Sequence, residues 1–203
     1  MAQFFCFVIM SEFQLYFGLG REHILDYING YDHILFVLAL CAVYLTRDWK
    51  KILILVTAFT IGHSITLALA TMQIISVKTE LIEFLIPLTI FVTACSNLFR
   101  KEESISKQNI QINYFFALFF GLIHGMGFSN YLRALLGKSH SILSPLLAFN
   151  LGLELGQIIV VTIFLIISYI LVDWLKVSRR DWKMVLSSAI AGIAFILMKD
   201  RMF

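Results

Sequence analysis

LSPLLAFNLGLELGQIIVVTIFLIISYIL, residues 143–171, decides the fold class. It runs for 29 residues and carries one charge, Glu154. An α-helix needs about 20 apolar residues to cross a hydrocarbon core about 30 Å thick, so this stretch spells a transmembrane helix. Working outward, 182–198 is a second such run. Residues 112–128 (continuing toward 136), 80–99, 51–75 and 32–46 are four more. The expectation is an all-α polytopic membrane protein with about six transmembrane helices, one domain over residues 1–203. Residues 12–31 form an amphipathic lead-in helix. Met10 offers a second start, so residues 1–9 read either as chain or as an upstream extension; they lack the basic n-region and cleavage site of a signal peptide.

Composition supports the membrane reading. Only 14% of the chain is charged and mean hydropathy is +0.87, whereas a soluble domain averages about 25% charged. The basic residues sit between apolar runs, a topology signal that excludes nucleic acid as the partner and leaves the lipid bilayer. Cys41 and Cys95 fall inside apolar runs and no CxxC exists, which excludes a disulfide framework and a thiolate metal site. The loops after the first, third and fifth runs carry ten Lys and Arg, against six on the other side. The excess puts those loops in the cytoplasm and both termini on the outer side of a bacterial cytoplasmic (inner) membrane. Trp49, Trp174 and Trp182 all fall on the cytoplasmic side, as interfacial anchors do.

Ionisable groups inside these runs need a reason, because a central charge costs about 2.5–3.5 kcal/mol on insertion scales. His63 and His124 each lie about 18 Å along their runs from the cytoplasmic end, and Glu154 about 16 Å from the outer end, at 1.5 Å per residue. Asp32, His33 and Glu83 open inward-running spans, and His23 lies on the lead-in. All are therefore expected at one depth, between midplane and outer face. Asn150, Glu154 and Gln157 form one helical stripe, and Thr60, His63 and Ser64 another. Imidazoles with carboxylates suit a divalent transition metal such as Ni, Co or Zn, with Glu83, Asn150, Gln157, Thr60 and Ser64 as orienting partners. Each residue also has a plainer role. A lone intramembrane His, Asn or Gln often bonds a neighbouring helix, and Asp32 or Glu83 at a helix start can act as a cap.

The segments GREHILDYINGYDHILFVLAL, TAFTIGHSITLALA, LIEFLIPLTI, FGLIHGMGFS and FNLGLELGQ, in this order, resemble the HupE/UreJ family of bacterial membrane proteins, over roughly residues 12–198. The likeness is greatest to the short branch of Bacteroidetes-type bacteria. The resemblance implies a nickel or cobalt permease, or an accessory protein of hydrogenase and urease clusters. It matches His23, Asp32 and His33 to the family's first-span motif, and His124 and Gly125 to its later His-Gly motif. Two departures stand out: eight residues separate His23 from Asp32, and Met126, Gly127 and Phe128 follow where nickel permeases carry a His and a Glu.

The leading expectation is a permease or accessory protein handling a divalent metal at His23, Asp32, His33, His63, His124 and Glu154, with transport ahead of catalysis. The alternatives are an intramembrane metal-dependent hydrolase acting on a lipid or lipoprotein, and a non-catalytic accessory protein. The sequence leaves a homo-oligomer open.

Overall fold

The computed structural model describes residues 12–27, 30–100, 110–136 and 142–202; residues 1–9 and their alternative start lie outside these. The described chain is eight helices: α1 Glu12–Leu25, α2 Tyr31–Cys41, α3 Trp49–Thr71, α4 Thr79–Phe99, α5 Ile110–Gly127, α6 Ser129–Leu136, α7 Leu143–Ser168 and α8 Arg179–Asp200. A π-helical turn, Tyr169–Trp174, extends α7. The chain is an all-α polytopic membrane protein, as its composition predicts. Four helical segments, Thr46–Thr71, Thr79–Phe99, Leu143–Trp174 and Arg179–Asp200, are long and apolar enough to cross a bilayer. A fifth candidate is α5 with α6, which meet at a bend of 49°.

The first expected run, 32–46, differs from a simple span. Its helix α2 has 11 residues, about 16 Å at 1.5 Å per residue, too short for the bilayer core. Phe36, Val37, Cys41 and the segment from Ala42 to Leu45 are buried within the protein. A helix surrounded by protein is apolar all round, so hydropathy reads it as it reads a lipid-facing span. The lead-in also ends early: α1 stops at Leu25, with five residues between it and the start of α2 at Tyr31.

We call the upper end of the bundle the one holding the starts of α4 and α7, and the lower end the one holding the starts of α3 and α8. Trp49 and Trp174 are exposed at the lower end, beside half-buried Trp182, consistent with one aromatic belt.

The chain repeats itself. Ala58-Phe59-Thr60-Ile61-Gly62 in α3 corresponds to Ala148-Phe149-Asn150-Leu151-Gly152 in α7, and Gly20-x-x-His23 in α1 to Gly121-x-x-His124 in α5. The packing follows the same correspondence. A Cβ on Gly20 would fall on the Phe149 carbonyl and the Leu153 nitrogen; on Gly121 it would fall on the Phe59 carbonyl and the His63 nitrogen. Gly152 meets Phe17 and Arg21 of α1 as Gly62 meets Leu118 and Leu122 of α5. Small residues let helix backbones touch this closely in membranes. Thus α1 lies along α7, and α5 along α3, in the same way. Among the described residues the two non-glycine positive-φ positions also correspond: Gln73 (60°) before α4 and Lys176 (59°) before α8.

Equivalent helices run in opposite directions. Lys183 at the start of α8 donates to the Arg100 carbonyl at the end of α4, while Arg201 beyond the end of α8 reaches the Glu83 carbonyl near the start of α4. Residues 12–100 and 110–202 therefore form an inverted pair of four-helix repeats, each with its first helix interrupted shortly after the Gly-x-x-His sequence.

Candidate metal centre

Each repeat delivers a histidine just before its break. His23 lies in the last turn of α1 and His124 in the last turn of α5. His33 comes from the first turn of α2, and His63 from the glycine-lined face of α3. The ring centroids of His23 and His33 are 4.4 Å apart, those of His33 and His124 5.3 Å, and those of His23 and His63 6.2 Å. His23, His33 and His63 each offer a nitrogen within 4.8 Å of the others, a spacing that one cation can draw together.

Hydrogen bonds fix which nitrogen two of the rings present. His33 Nδ1 donates to the Asp32 carboxylate at 2.9 Å, and His124 Nδ1 donates to the Phe120 carbonyl at 2.9 Å. Metal-binding imidazoles are oriented in this way, the outer nitrogen anchored and the other left basic. The Nε2 atoms of His23, His33 and His124 and both ring nitrogens of His63 are buried without a hydrogen-bond partner. Buried polar atoms are seldom left unmade, because the desolvation cost is about 1–3 kcal/mol each. Four adjacent imidazoles with such atoms fit a borderline divalent cation.

Asp32 is buried and bridges two groups, since its second oxygen takes Arg201 at 3.3 Å. Arg201 thereby ties the end of repeat two to the histidine group. A cavity of about 560 Å³ opens at the upper end over the cluster, lined in part by His23, Asp26, His33, Glu83, His124 and Arg201.

The structure thus brings together His23, Asp32, His33, His63 and His124. It does not bring Glu154 to them: its carboxylate accepts from Thr57 at 2.7 Å. Counting along α7 gives the depth of Glu154 and not its azimuth. Glu83 lines the cavity, not the cluster. Thr60 donates to Gln157 at 2.9 Å, Ser64 to the Thr60 carbonyl at 2.7 Å, and Asn150 to the Leu146 carbonyl at 2.8 Å; among these, Asn150 lies beside His63. Asp26 and Arg201 were missed. Asp26 stands one helical turn after His23, which was the available signal. Arg201, past the sixth run, read only as a topological charge.

The chain matches no curated protein and no solved structure. A family model described as "HupE / UreJ protein" matches residues 4–200, which takes in the first repeat, all but the last two residues of the second and the four clustered histidines, and the chain belongs to the HupE/UreJ family.

Proposed function

We propose that this chain is a permease of the bacterial cytoplasmic membrane for a divalent transition metal, with nickel as the first candidate substrate ahead of cobalt and zinc. The carrying observation is the group of unpartnered imidazole nitrogens, with those of His23, His33 and His63 within 4.8 Å of one another, beneath an open cavity. The positive-inside bias makes the upper end the outer one, with both termini on that side. The ion enters past Asp26 and Glu83 and exchanges water for His23, His33, His63 and His124, while Asp32 holds His33. The inverted repeat supports transport over static binding, because such repeats with interrupted helices place substrate sites at their interface in secondary transporters.

Uptake of radioactive nickel into cells expressing the chain tests this reading. Wild type should accumulate the metal, and His63→Ala and His124→Ala should not, at equal membrane levels. Uptake equal to vector control for nickel, cobalt and zinc alike would reject the permease.

The opening to one side alone favours a second reading: a metal held by the same histidines and a carboxylate of the cavity, acting on a lipid or lipoprotein at the outer leaflet. Metal-dependent hydrolysis of such a substrate by the purified protein, lost in His63→Ala, would select it.

A further inference from the structure

The histidine group lies between two aromatic groups, each built on one of the two phenylalanines that the repeat makes equivalent, Phe59 and Phe149. On the lower side Phe59 contacts His124, with ring centroids 5.2 Å apart, and Phe36 packs against both at 4.9 and 5.0 Å. On the upper side Phe149, the counterpart of Phe59, contacts His23, the counterpart of His124, at 5.7 Å. Phe128 packs on both, at 4.8 Å from Phe149 and 4.1 Å from His23. Each repeat's Gly-x-x-His histidine therefore faces the other repeat's phenylalanine.

The two groups differ in state. Phe36, Phe59 and Phe149 are all buried, at 0%, 1% and 0% exposed, and Phe36 and Phe59 seal the histidines from below. Phe128 instead lines the open upper cavity with His23 and His124. Below the seal, a second cavity of about 100 Å³ is already present, lined by Leu55, Asn97, Asn113, Tyr44 and Phe120 among others. Phe120, which lines it, also anchors the His124 ring through its carbonyl. The lower end is tied shut by Asn97 donating to the Ala39 carbonyl at 2.7 Å, Asn113 to the Tyr44 hydroxyl at 2.9 Å and Arg179 to the Val43 carbonyl at 2.9 Å. All three bonds hold the α2 segment, from Ala39 to Tyr44.

We propose that Phe59 and Phe149 are paired gates, and that a second state exists in which the two repeats exchange arrangements. In it, Phe128 closes over the histidines from above, against Phe149, which is already packed on His23. Phe59 parts from Phe36 and Phe120, and the same four-histidine site opens to the lower end. The 49° break between α5 and α6, at Phe128, supplies a hinge. The two interfaces that must persist are the glycine contacts of α1 on α7 and α5 on α3, which are alike by construction. The exchange thus swaps one packing for its equivalent, and the energy difference between states stays small. This inference rests on the permease reading, for which it supplies the missing inner gate.

The test places a single cysteine at Leu55 in a chain with its native cysteines replaced by serine, reconstituted in vesicles of known sidedness. A membrane-impermeant thiol reagent is applied from the lower side, and Glu83→Cys, labelled from the upper side, is the reference for an open thiol. A minor state is populated at about 0.1–10%, so Leu55→Cys should label at about that fraction of the reference rate. Adding Phe120→Ala, or the milder Phe36→Leu, should raise it about tenfold or more. Labelling that stays undetectable from below in both gate variants, while each still binds nickel, overturns the paired gates and leaves the metal site standing. Labelling that behaves as expected in a protein that binds no metal supports the two-state fold and removes the metal-permease reading.

Discussion

Two polar layers cross the contact between α3 and α7, and they are made differently. In the lower one, Thr57 bonds Glu154 and Thr60 bonds Gln157. There the carboxylate and the amide oxygen each take a hydroxyl proton across the helix pair. In the upper one, His63 lies beside Asn150 and keeps both ring nitrogens unpartnered, as His23, His33 and His124 each keep one. Both layers break the apolar pattern of their helices equally, and by hydropathy they are one feature. The difference lies in the degree of satisfaction: in the lower layer Gln157 Nε2 is left without a partner, against five imidazole nitrogens in the upper. A satisfied intramembrane pair reads as interhelical glue. A buried set of oriented but unpaired imidazoles is costly on its own, and binding a cation recovers that cost.

This contrast can be broken or sharpened by substitution. The largest effect belongs to His63→Ala. Removing a nitrogen from the group should weaken metal binding by more than the about 10–100-fold that an orienting partner is worth, read by calorimetric titration of the purified protein. Asp32→Asn comes next: His33 loses its carboxylate anchor, and metal affinity should fall by about 10–100-fold while circular dichroism stays unchanged. Affinity as in the wild type would show that Asp32 serves only Arg201. Gly121→Ala tests the seat of the cluster through packing. The added methyl meets the Phe59 carbonyl, so overpacking should cost about 1–3 kcal/mol, seen as a lower thermal midpoint in detergent, with metal binding weakened because His63 is displaced. The smallest effect is expected for Glu154→Gln. An interhelical hydrogen bond in a membrane averages about 0.6 kcal/mol, so the midpoint should move slightly and metal affinity not at all. A loss of binding as large as that of His63→Ala would return Glu154 to the site.

Hydropathy suffices for the long helices because lipid demands apolar residues over a known length. Runs 80–99 and 143–171 accordingly correspond to α4 and α7 within a few residues. It fails at α2, where burial in protein imitates burial in lipid. The histidines were legible because an imidazole in an apolar run is conspicuous. The company they keep was legible in depth and not in direction, which is why His63 and His124 met while Glu154 turned to Thr57. The inverted repeat is faint in the sequence for another reason. Gly20-x-x-His23 and Gly121-x-x-His124 share two residues in four, and Ala58-Phe59 and Ala148-Phe149 open short stretches. Only the backbone contacts around the glycines show these fragments to be equivalent.

The most direct test of the central claim is the metal content of the purified protein after equilibration with nickel, cobalt or zinc and removal of free ion, for wild type and for the His63→Ala, His124→Ala double variant. The four-histidine site predicts about one ion per chain for at least one of these metals in the wild type and none in the variant. Equal metal in both proteins, or none in either at concentrations that saturate simple imidazole sites, would contradict it.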